Sequence, residues 1–208
     1  MRALTDTRAR LLKVALELIW RSSYHATGVD LICATAKVKK GSFYHFFASK
    51  EELAIAALDA QWAEFKPGFD TVFAGDVPPL ERLVRFLRHG IDEQKRLHGE
   101  TGFVCGCPLF TLGAEIGTQQ PKLRAKVDEL LQEHHGYVER AIRDAHATGA
   151  IHAPDAARKA RMLTDYFEGV LTRARIMNSL APLEEGEEAM FEILGATRQV
   201  RAVPDLPT

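Results

Sequence analysis

Residues 39–47 are Lys-Lys-Gly-Ser-Phe-Tyr-His-Phe-Phe, and this stretch says most about the fold of the chain. At helical spacing, three aromatic residues fall at i, i+3 and i+4 and share one face: Phe43, Phe46 and Phe47. Gly41, Tyr44 and His45 have the same offsets and share another face, beside the two lysines. The pattern predicts a short helix that is anchored by its phenylalanines and presents a polar, basic face. Such a helix suits insertion into the major groove of DNA.

The sequence on both sides of this helix predicts a helix-turn-helix head. An apolar pattern of helical period covers about residues 5–22 and predicts a first helix. Thr27, with an acidic residue at Asp30, has the spacing of an N-cap that opens a second helix. Ser49 and Glu52 have the Ser-x-x-Glu spacing of a capping box and open a fourth helix. The first 50 residues therefore predict a helix-turn-helix head.

The remainder of the chain also has apolar residues at a period near 3.6, so we predict an all-α protein of about nine helices. We expect the fourth helix to end near Trp62, because Pro67-Gly68 is a helix-breaking pair. The predicted domains are a helix-turn-helix domain over 1–50 and a second helical domain over 51–203. Further helices are expected over about 80–97, 108–117, 121–147, 155–180 and 184–200.

Charge is distributed unevenly along the chain, although the net charge is only -1. Residues 1–50 hold nine Lys or Arg and three Asp or Glu, a balance of +6, whereas the remainder has a balance of -7. A basic head joined to an acidic body indicates a polyanion-binding segment attached to a domain with another role.

Composition narrows the class of protein further. With 208 residues, 46% of them hydrophobic, the chain is long enough to bury a substantial core. No run approaches the roughly 20 apolar residues that are needed to span a bilayer, so we expect no membrane partner. Three cysteines do not make a disulfide framework, which favours a reducing compartment. We therefore expect a soluble, cytoplasmic protein.

Residues 8–55 closely resemble the N-terminal domain of tetracycline-repressor-like (TetR) transcriptional regulators. The resemblance implies a ligand-responsive regulator, most often a homodimeric repressor that a small-molecule effector releases from a palindromic, double-stranded operator. It also implies that the second domain binds the effector and dimerises. The matching segments are Thr27-x-Val29-x-x-Ile32, Ala36-x-Val38, Lys40-Gly41-Ser42-Phe43-Tyr44-His45-Phe46 and Ser49-Lys50-Glu51-Glu52-Leu53.

The same resemblance assigns DNA contacts to Thr27, Lys39, Lys40, Gly41, Ser42, Tyr44, His45 and Lys50. Thr27 and Lys50 are expected to hold phosphates near helix N-termini. Lys39 and Lys40 are expected to reach a phosphate or a guanine edge. Two positions depart from the family pattern. Lys37 stands where a turn glycine is usual, and Cys33, where alanine is common, is expected to be a small buried residue.

An effector pocket in the second domain is also implied by the resemblance, and side chains that could line it are aromatic or contain sulfur. For any one aromatic residue the alternative is an ordinary core position. The candidates are Phe65, Phe69, Phe86, Cys105, Cys107, Phe110, Tyr137 and Phe167.

The two C-terminal helices are expected to form a four-helix dimer interface, as the resemblance implies, with Gly169 allowing a close helix approach. The alternative for their apolar residues is packing within one chain. The candidates are Leu163, Tyr166, Val170, Met190, Phe191 and Leu194.

Cys105 and Cys107 leave alternatives open. Residues 106–109 look like a segment of one subgroup of the family, which indicates a structural role at a helix start. A redox or electrophile sensor is the second hypothesis, because a thiolate at a helix N-terminus is reactive. Their spacing from His98, His134 and His135 matches no recurrent zinc pattern, so we expect no metal. We expect no other cofactor.

A cysteine or histidine enzyme is the rival to a transcriptional regulator, but the chain contains no nucleophile elbow or phosphate loop.

Overall fold

A computed structural model of the chain describes residues 2–117 and 119–195. Within these residues the protein consists of α-helices and connecting segments, so the predicted all-α class is confirmed. The nine helices in this described part are α1 (Arg2–Arg21), α2 (Val29–Ala36), α3 (Lys40–Phe46), α4 (Lys50–Val72), α5 (Pro79–Thr101), α6 (Pro108–Ile116), α7 (Pro121–Ala147), α8 (Ala156–Met177) and α9 (Ala181–Leu194).

The helix-turn-helix head has its own hydrophobic core. Helix α2 packs on α1 and on α3. Phe43 and Phe47 are buried in this core with Leu11 and Ile32, and Phe46 packs at its edge. The prediction that one face of α3 anchors the helix is therefore confirmed.

The N-terminal caps agree with the sequence pattern at α4 but not at α2. Ser49 Oγ accepts the N–H of Glu52 at 3.1 Å, and the Glu52 carboxylate accepts the N–H of Ala48 at 2.8 Å. At α2 the N-cap is Gly28, which has no side chain to form a cap, and Thr27 is the residue before it. The predicted Thr27 cap is wrong, because the chain becomes helical one residue later than the Thr-x-x-Asp spacing suggests.

Helix α4 does not end near Trp62 as predicted, but continues through Pro67 to Val72. A proline in a helix interior costs one hydrogen bond and about 3 kcal/mol. The turn that follows is held in part by Thr71 Oγ1, which donates to the Pro67 carbonyl at 2.9 Å. It also carries Phe69 and leads to Phe73, two rings that pack on other aromatic side chains. The packing of these aromatic rings offsets the free-energy cost of a proline inside the helix. Local helix propensity does not take such tertiary contacts into account.

The contacts divide the chain into two compact units. The first comprises Met1–Lys66 and Pro108–Leu131, and the second comprises Pro67–Cys107 and Gln132–Thr208. Helix α6 and the first part of α7 thus group with the basic head, whereas α5, which precedes α6 in sequence, belongs to the second unit. The predicted boundary after residue 50 stays a prediction.

The core of the second unit joins α5, the later part of α7, α8 and α9. Helices α8 and α9 pack together, and Gly186 of α9 lies where a Cβ atom would be 2.9 Å from Val170 Cγ1. Helix α9 ends at Leu194, capped by Gly195 in the left-handed conformation, and not near Val200 as predicted. The predicted frayed tail, 204–208, lies outside the described residues. Among the helices described, none combines the length and apolarity required to cross a membrane.

Candidate DNA interface and aromatic cluster

Helix α3 presents most of the predicted DNA contacts on one exposed face. Lys39 is its N-cap, and Lys40, Gly41, Tyr44 and His45 are exposed. Ser42 is half-buried. Because the opposite face is anchored by phenylalanines, the exposed side chains are held on a fixed backbone. The structure thus brings together a basic and hydrogen-bonding surface at the start of a short helix.

Lys40 has an acidic partner that the sequence pattern did not identify. Its Nζ lies 2.8 Å from Oδ1 of Asp30 on α2, and both side chains are largely exposed. The hydrogen bond and charge of Asp30 raise the pKa of Lys40. Asp30 was expected only as a residue of the first turn of α2. In the structure it sets where the ammonium group of Lys40 lies on the candidate DNA surface.

The turn between α2 and α3 forms without the usual glycine. Lys37 has φ 54 and ψ 47, the left-handed conformation, and its N–H bonds to the Ala34 carbonyl. The next N–H, of Val38, bonds to the Cys33 carbonyl at 2.9 Å. The turn is therefore preserved, and the strain of a non-glycine residue at positive φ, roughly 1–2 kcal/mol, is carried by Lys37. Cys33 is buried as expected.

The two predicted phosphate contacts near helix N-termini both point into the protein. The Thr27 hydroxyl is fully buried and finds no hydrogen-bond partner among the described residues. Lys50 Nζ donates to the Tyr24 carbonyl at 2.7 Å and lies 4.1 Å from the centre of the Tyr24 ring. Burial lowers the pKa of Lys50. An ammonium group has three donors, so Lys50 keeps capacity for a phosphate, whereas the Thr27 hydroxyl is not presented to one.

Glu115, in the last turn of α6, is a polar anchor that the sequence did not suggest. Its carboxylate accepts the backbone N–H groups of Tyr24 and His25, each at 2.7 Å, and lies 2.8 Å from His25 Nδ1. Burial would raise the pKa of Glu115, but hydrogen bonds from His25 and Tyr24 outweigh it and hold the pKa below its usual value. No local sequence pattern indicates this contact, because 90 or more positions separate Glu115 from Tyr24 and His25.

Four of the predicted effector-site residues meet in an aromatic cluster of the second unit. Two further residues, which the sequence did not predict for the site, belong to the same cluster. Within it, the centroids of neighbouring rings lie between 4.9 and 6.3 Å apart. Some of these rings are buried and others are half-buried. The predicted members are Phe69, Phe86, Tyr137 and Phe167, and the additional ones are Phe73 and His134.

Phe65 and Phe110, which were also predicted to line the pocket, are placed differently. Both belong to the first unit, outside this cluster, and their side chains are 51% and 37% exposed. Exposed aromatic rings do not form the wall of a closed site. Aromatic identity alone could not distinguish them from the four residues that do cluster.

Cys105 lies in a loop whose backbone is held by side chains of the second unit. Gln94 Oε1 accepts the N–H groups of Cys105 and Gly106 at 3.1 and 2.8 Å. Arg175 donates to the Cys105 carbonyl at 2.5 Å, and Asn178 Oδ1 accepts the Val104 N–H at 2.9 Å. The Cys105 side chain is buried. These contacts favour the structural role for this cysteine.

Cys107 is half-buried, and its thiol hydrogen-bonds to the carboxyl group of Glu168. Burial raises the pKa of Glu168 to about 7, and the second carboxyl oxygen has no hydrogen-bond partner among the described residues. This contact does not supply the positive charge by which proteins usually stabilise a thiolate. Within the described residues, no three His, Cys, Asp or Glu side chains are placed to share a metal ion.

The residues predicted for the dimer interface lie mostly in the core of their own chain. Tyr166 is half-buried, and the other five side chains are buried by the packing of α8 and α9 and their neighbours: Leu163, Val170, Met190, Phe191 and Leu194. These five therefore support the fold of one chain. The exposed face of α8 instead carries Met162, Gly169 and Ile176, which are spaced by seven residues. The interface itself stays a prediction.

Comparisons with known proteins agree with this arrangement. Residues 11–57 match the family model of bacterial regulatory proteins of the tetR family, and residues 79–190 match the tetracyclin repressor-like C-terminal domain. The transcriptional regulator AcuR of Cereibacter sphaeroides is 32% identical over 170 residues, which is 80% of this chain and 75% of AcuR.

Solved structures give the same result. A regulatory protein TetR from Rhodobacter sphaeroides superimposes with a TM-score of 0.78 and 28% identity, over 89% of this chain and 97% of that one. The reduced form of NemR from Escherichia coli superimposes with a TM-score of 0.82 over 93% of this chain and 99% of that one, and at 22% identity it supports the fold alone. The chain belongs to the tetR family of bacterial regulatory proteins and is a DNA-binding transcriptional regulator.

Proposed function

We propose that the protein is a homodimeric repressor that binds a palindromic operator through α3 and is released by a small-molecule effector. The exposed polar face of α3 carries this proposal. Lys39, Lys40, Tyr44 and His45 lie together on a helix whose other face is fixed in the core. A helix of this kind can place its first residues against base edges and phosphates in a major groove. Bacterial DNA lies in the cytoplasm, where we propose that the protein acts.

Dimerisation follows from the limited reach of one recognition helix, which reads only a few base pairs. We place the interface on the exposed face of α8. Met162 is 46% exposed and Ile176 is 79% exposed, and Gly169 between them has open space beside its Cα. Residues spaced by seven form one stripe along a helix, so a second copy of α8 can pack there. Ile176→Glu is expected to weaken the dimer, as measured by sedimentation velocity.

The aromatic cluster is the proposed effector site. Its half-buried rings offer contact area to an apolar or aromatic molecule, and Tyr137 donates to Asp70 at its edge. We favour this effector site over a cysteine sensor because the Cys105 side chain is buried and the Cys107 thiol is hydrogen-bonded to the Glu168 carboxyl group. Phe69→Ala is expected to abolish release from DNA by an effector without changing affinity for DNA.

The decisive experiment measures binding of a DNA fragment from upstream of the protein's own gene by fluorescence anisotropy over a salt series. Affinity should fall steeply with salt, because each neutralised phosphate contributes about 0.9 to the slope of log K against log salt. Lys40→Ala should reduce that slope by about 0.9 per protomer. Lys95→Ala, an exposed lysine of α5, is the matched control and should leave the slope unchanged. Failure to bind at low salt in the absence of effector would refute the proposal.

A further inference from the structure

The short segment between α1 and α2 is held from both sides by charged residues that are distant in sequence. Glu115, at the end of α6, accepts the N–H groups of Tyr24 and His25 at 2.7 Å each. Lys50, at the start of α4, donates to the Tyr24 carbonyl at 2.7 Å. The carboxylate and the ammonium therefore both hold the peptide unit between Tyr24 and His25. All four residues belong to the first unit.

These bonds are stronger than ordinary surface hydrogen bonds. Each has an ionised partner, and charge-assisted bonds of this length are about twice as strong as neutral ones. The carboxylate of Glu115 is 21% exposed, and Tyr24 is almost completely buried. The Lys50 ammonium also lies over the Tyr24 ring at 4.1 Å. A partly buried, charge-assisted clamp holds its segment more rigidly than solvent-exposed pairs do.

The clamped segment determines where α2 begins. The N–H of Thr27 bonds to the Ser23 carbonyl at 3.1 Å, and the N–H of Ala26 bonds to Ser23 Oγ at 3.0 Å, so the segment forms a compact turn. Helix α2 starts at Val29 and leads through one tight turn into α3. Any displacement of residues 23–25 is therefore transferred to the N-terminus of α2 and from there to the recognition helix.

We propose that Glu115 is a positioning residue for DNA binding, which holds the α1–α2 segment so that α2 and α3 present the correct geometry to an operator. The proposal rests on the proposed DNA-binding function and extends it to a residue of α6 that does not itself need to touch DNA. It accounts for the grouping of α6 with the head. It also assigns a purpose to a carboxylate of α6 that accepts hydrogen bonds from the backbone of the basic head.

Charge and position predict opposite effects for a neutral substitution. Glu115→Gln removes a negative charge from the DNA-binding unit, so electrostatics alone predicts tighter binding to DNA. A glutamine has one acceptor oxygen and one amide nitrogen, and that nitrogen cannot accept the second backbone N–H. Loss of positioning therefore predicts weaker binding to the specific site. Binding to unrelated duplexes, which depends mainly on charge, should be unchanged or slightly tighter.

The test compares Glu115→Gln, Glu115→Asp and the control Glu129→Gln with the wild-type protein. Glu129 is an exposed carboxylate of α7 in the same unit, paired with Lys126. Fluorescence anisotropy measures affinity for the upstream fragment that the wild-type protein binds and for an unrelated duplex of equal length. Hydrogen exchange measures protection of the amides of Tyr24 and His25, and circular dichroism measures Tm.

Both Glu115 variants should lose about tenfold or more in specific affinity, with reduced protection of the two amides and little change in nonspecific affinity. Glu115→Asp keeps the charge but withdraws the carboxylate by one methylene, so it covers the case in which Glu115→Gln does not fold. Glu129→Gln should match the wild-type protein. Specific affinity that is unchanged or higher in both Glu115 variants overturns the proposal, as does equal loss on both duplexes. If the wild-type protein binds no DNA, the proposed function fails instead.

Discussion

Replacing Glu168 with Gln should change how stability depends on pH. Burial raises the pKa of this carboxyl from 4.5 to about 7, so the folded protein holds its proton more tightly than the unfolded chain does. The stability that this provides is complete below pH 4.5 and is lost as the pH rises through about 7. The change in pKa corresponds to about 3 kcal/mol of unfolding free energy across that interval.

His134 has the opposite effect in nearly the same pH interval. Burial lowers its pKa from 6.5 to about 4, so the folded protein keeps the ring neutral. Stability is then complete above pH 6.5 and is lost as the pH falls towards 4, by a similar amount of about 3 kcal/mol. Between pH 4.5 and 6.5 each group changes stability by up to about 1.4 kcal/mol per pH unit, with opposite signs. The two contributions largely cancel in the wild-type protein.

Urea unfolding followed by circular dichroism at pH 4.5, 5.5 and 6.5 measures this directly. The unfolding free energy of Glu168→Gln, minus that of the wild-type protein, should rise by about 2 kcal/mol from pH 4.5 to 6.5. For His134→Gln the same difference should fall by about the same amount. Glu185→Gln, at an exposed carboxylate of α9, is the control for replacing a carboxylate by an amide. A constant difference for Glu168→Gln would refute the assignment of a retained proton to this carboxyl.

Four further substitutions test other parts of the structure. Asp30→Asn removes a negative charge beside Lys40 on the candidate DNA surface, so affinity for DNA at low salt should rise, as measured by anisotropy. Lys37→Gly relieves the positive φ at a cost in unfolded-state entropy and should raise stability by up to about 1 kcal/mol in urea unfolding. Gly90→Ala places a Cβ atom 2.7 Å from Cζ of Phe167 and should lower stability by about 1–2 kcal/mol, whereas Gly99→Ala, with open space in the same helix, should raise it by up to about 1 kcal/mol in thermal unfolding.

Local patterns predicted the recognition helix well, because its determinants lie within a few residues of one another. The spacing of Phe43 and Phe47 decides which face is buried, and Ser49 with Glu52 forms a cap within one turn. Where local preference competed with tertiary packing, the prediction was wrong. Pro67 lies inside α4 because aromatic contacts beyond it stabilise the helix.

Only some of the residues predicted for the effector site lie in the aromatic cluster, and tertiary packing is again the reason. Periodicity assigns an aromatic residue to a helix face, but it does not say which other faces meet that one. Phe69 and Phe86 come together from different helices, whereas Phe65, one turn before Phe69 on α4, is exposed. His134 also belongs to the cluster, although in the sequence it was considered only as a possible metal ligand. Residue type suggested the candidates, and tertiary packing determines which of them lie in the aromatic cluster; that this cluster binds an effector stays a prediction.

Glu115 illustrates what charge patterning along a sequence cannot provide. The change from a basic to an acidic segment near residue 50 indicates which part of the chain meets a polyanion. Glu115 lies well inside the acidic part, yet its carboxylate holds the backbone at Tyr24 and His25, within the basic head. A residue that touches DNA must carry a suitable charge, whereas a residue that positions the DNA-reading helix needs only a matching hydrogen-bond partner. Net charge therefore locates the first kind of residue, and the second kind becomes visible only when the backbone donors of the α1–α2 segment are each assigned an acceptor.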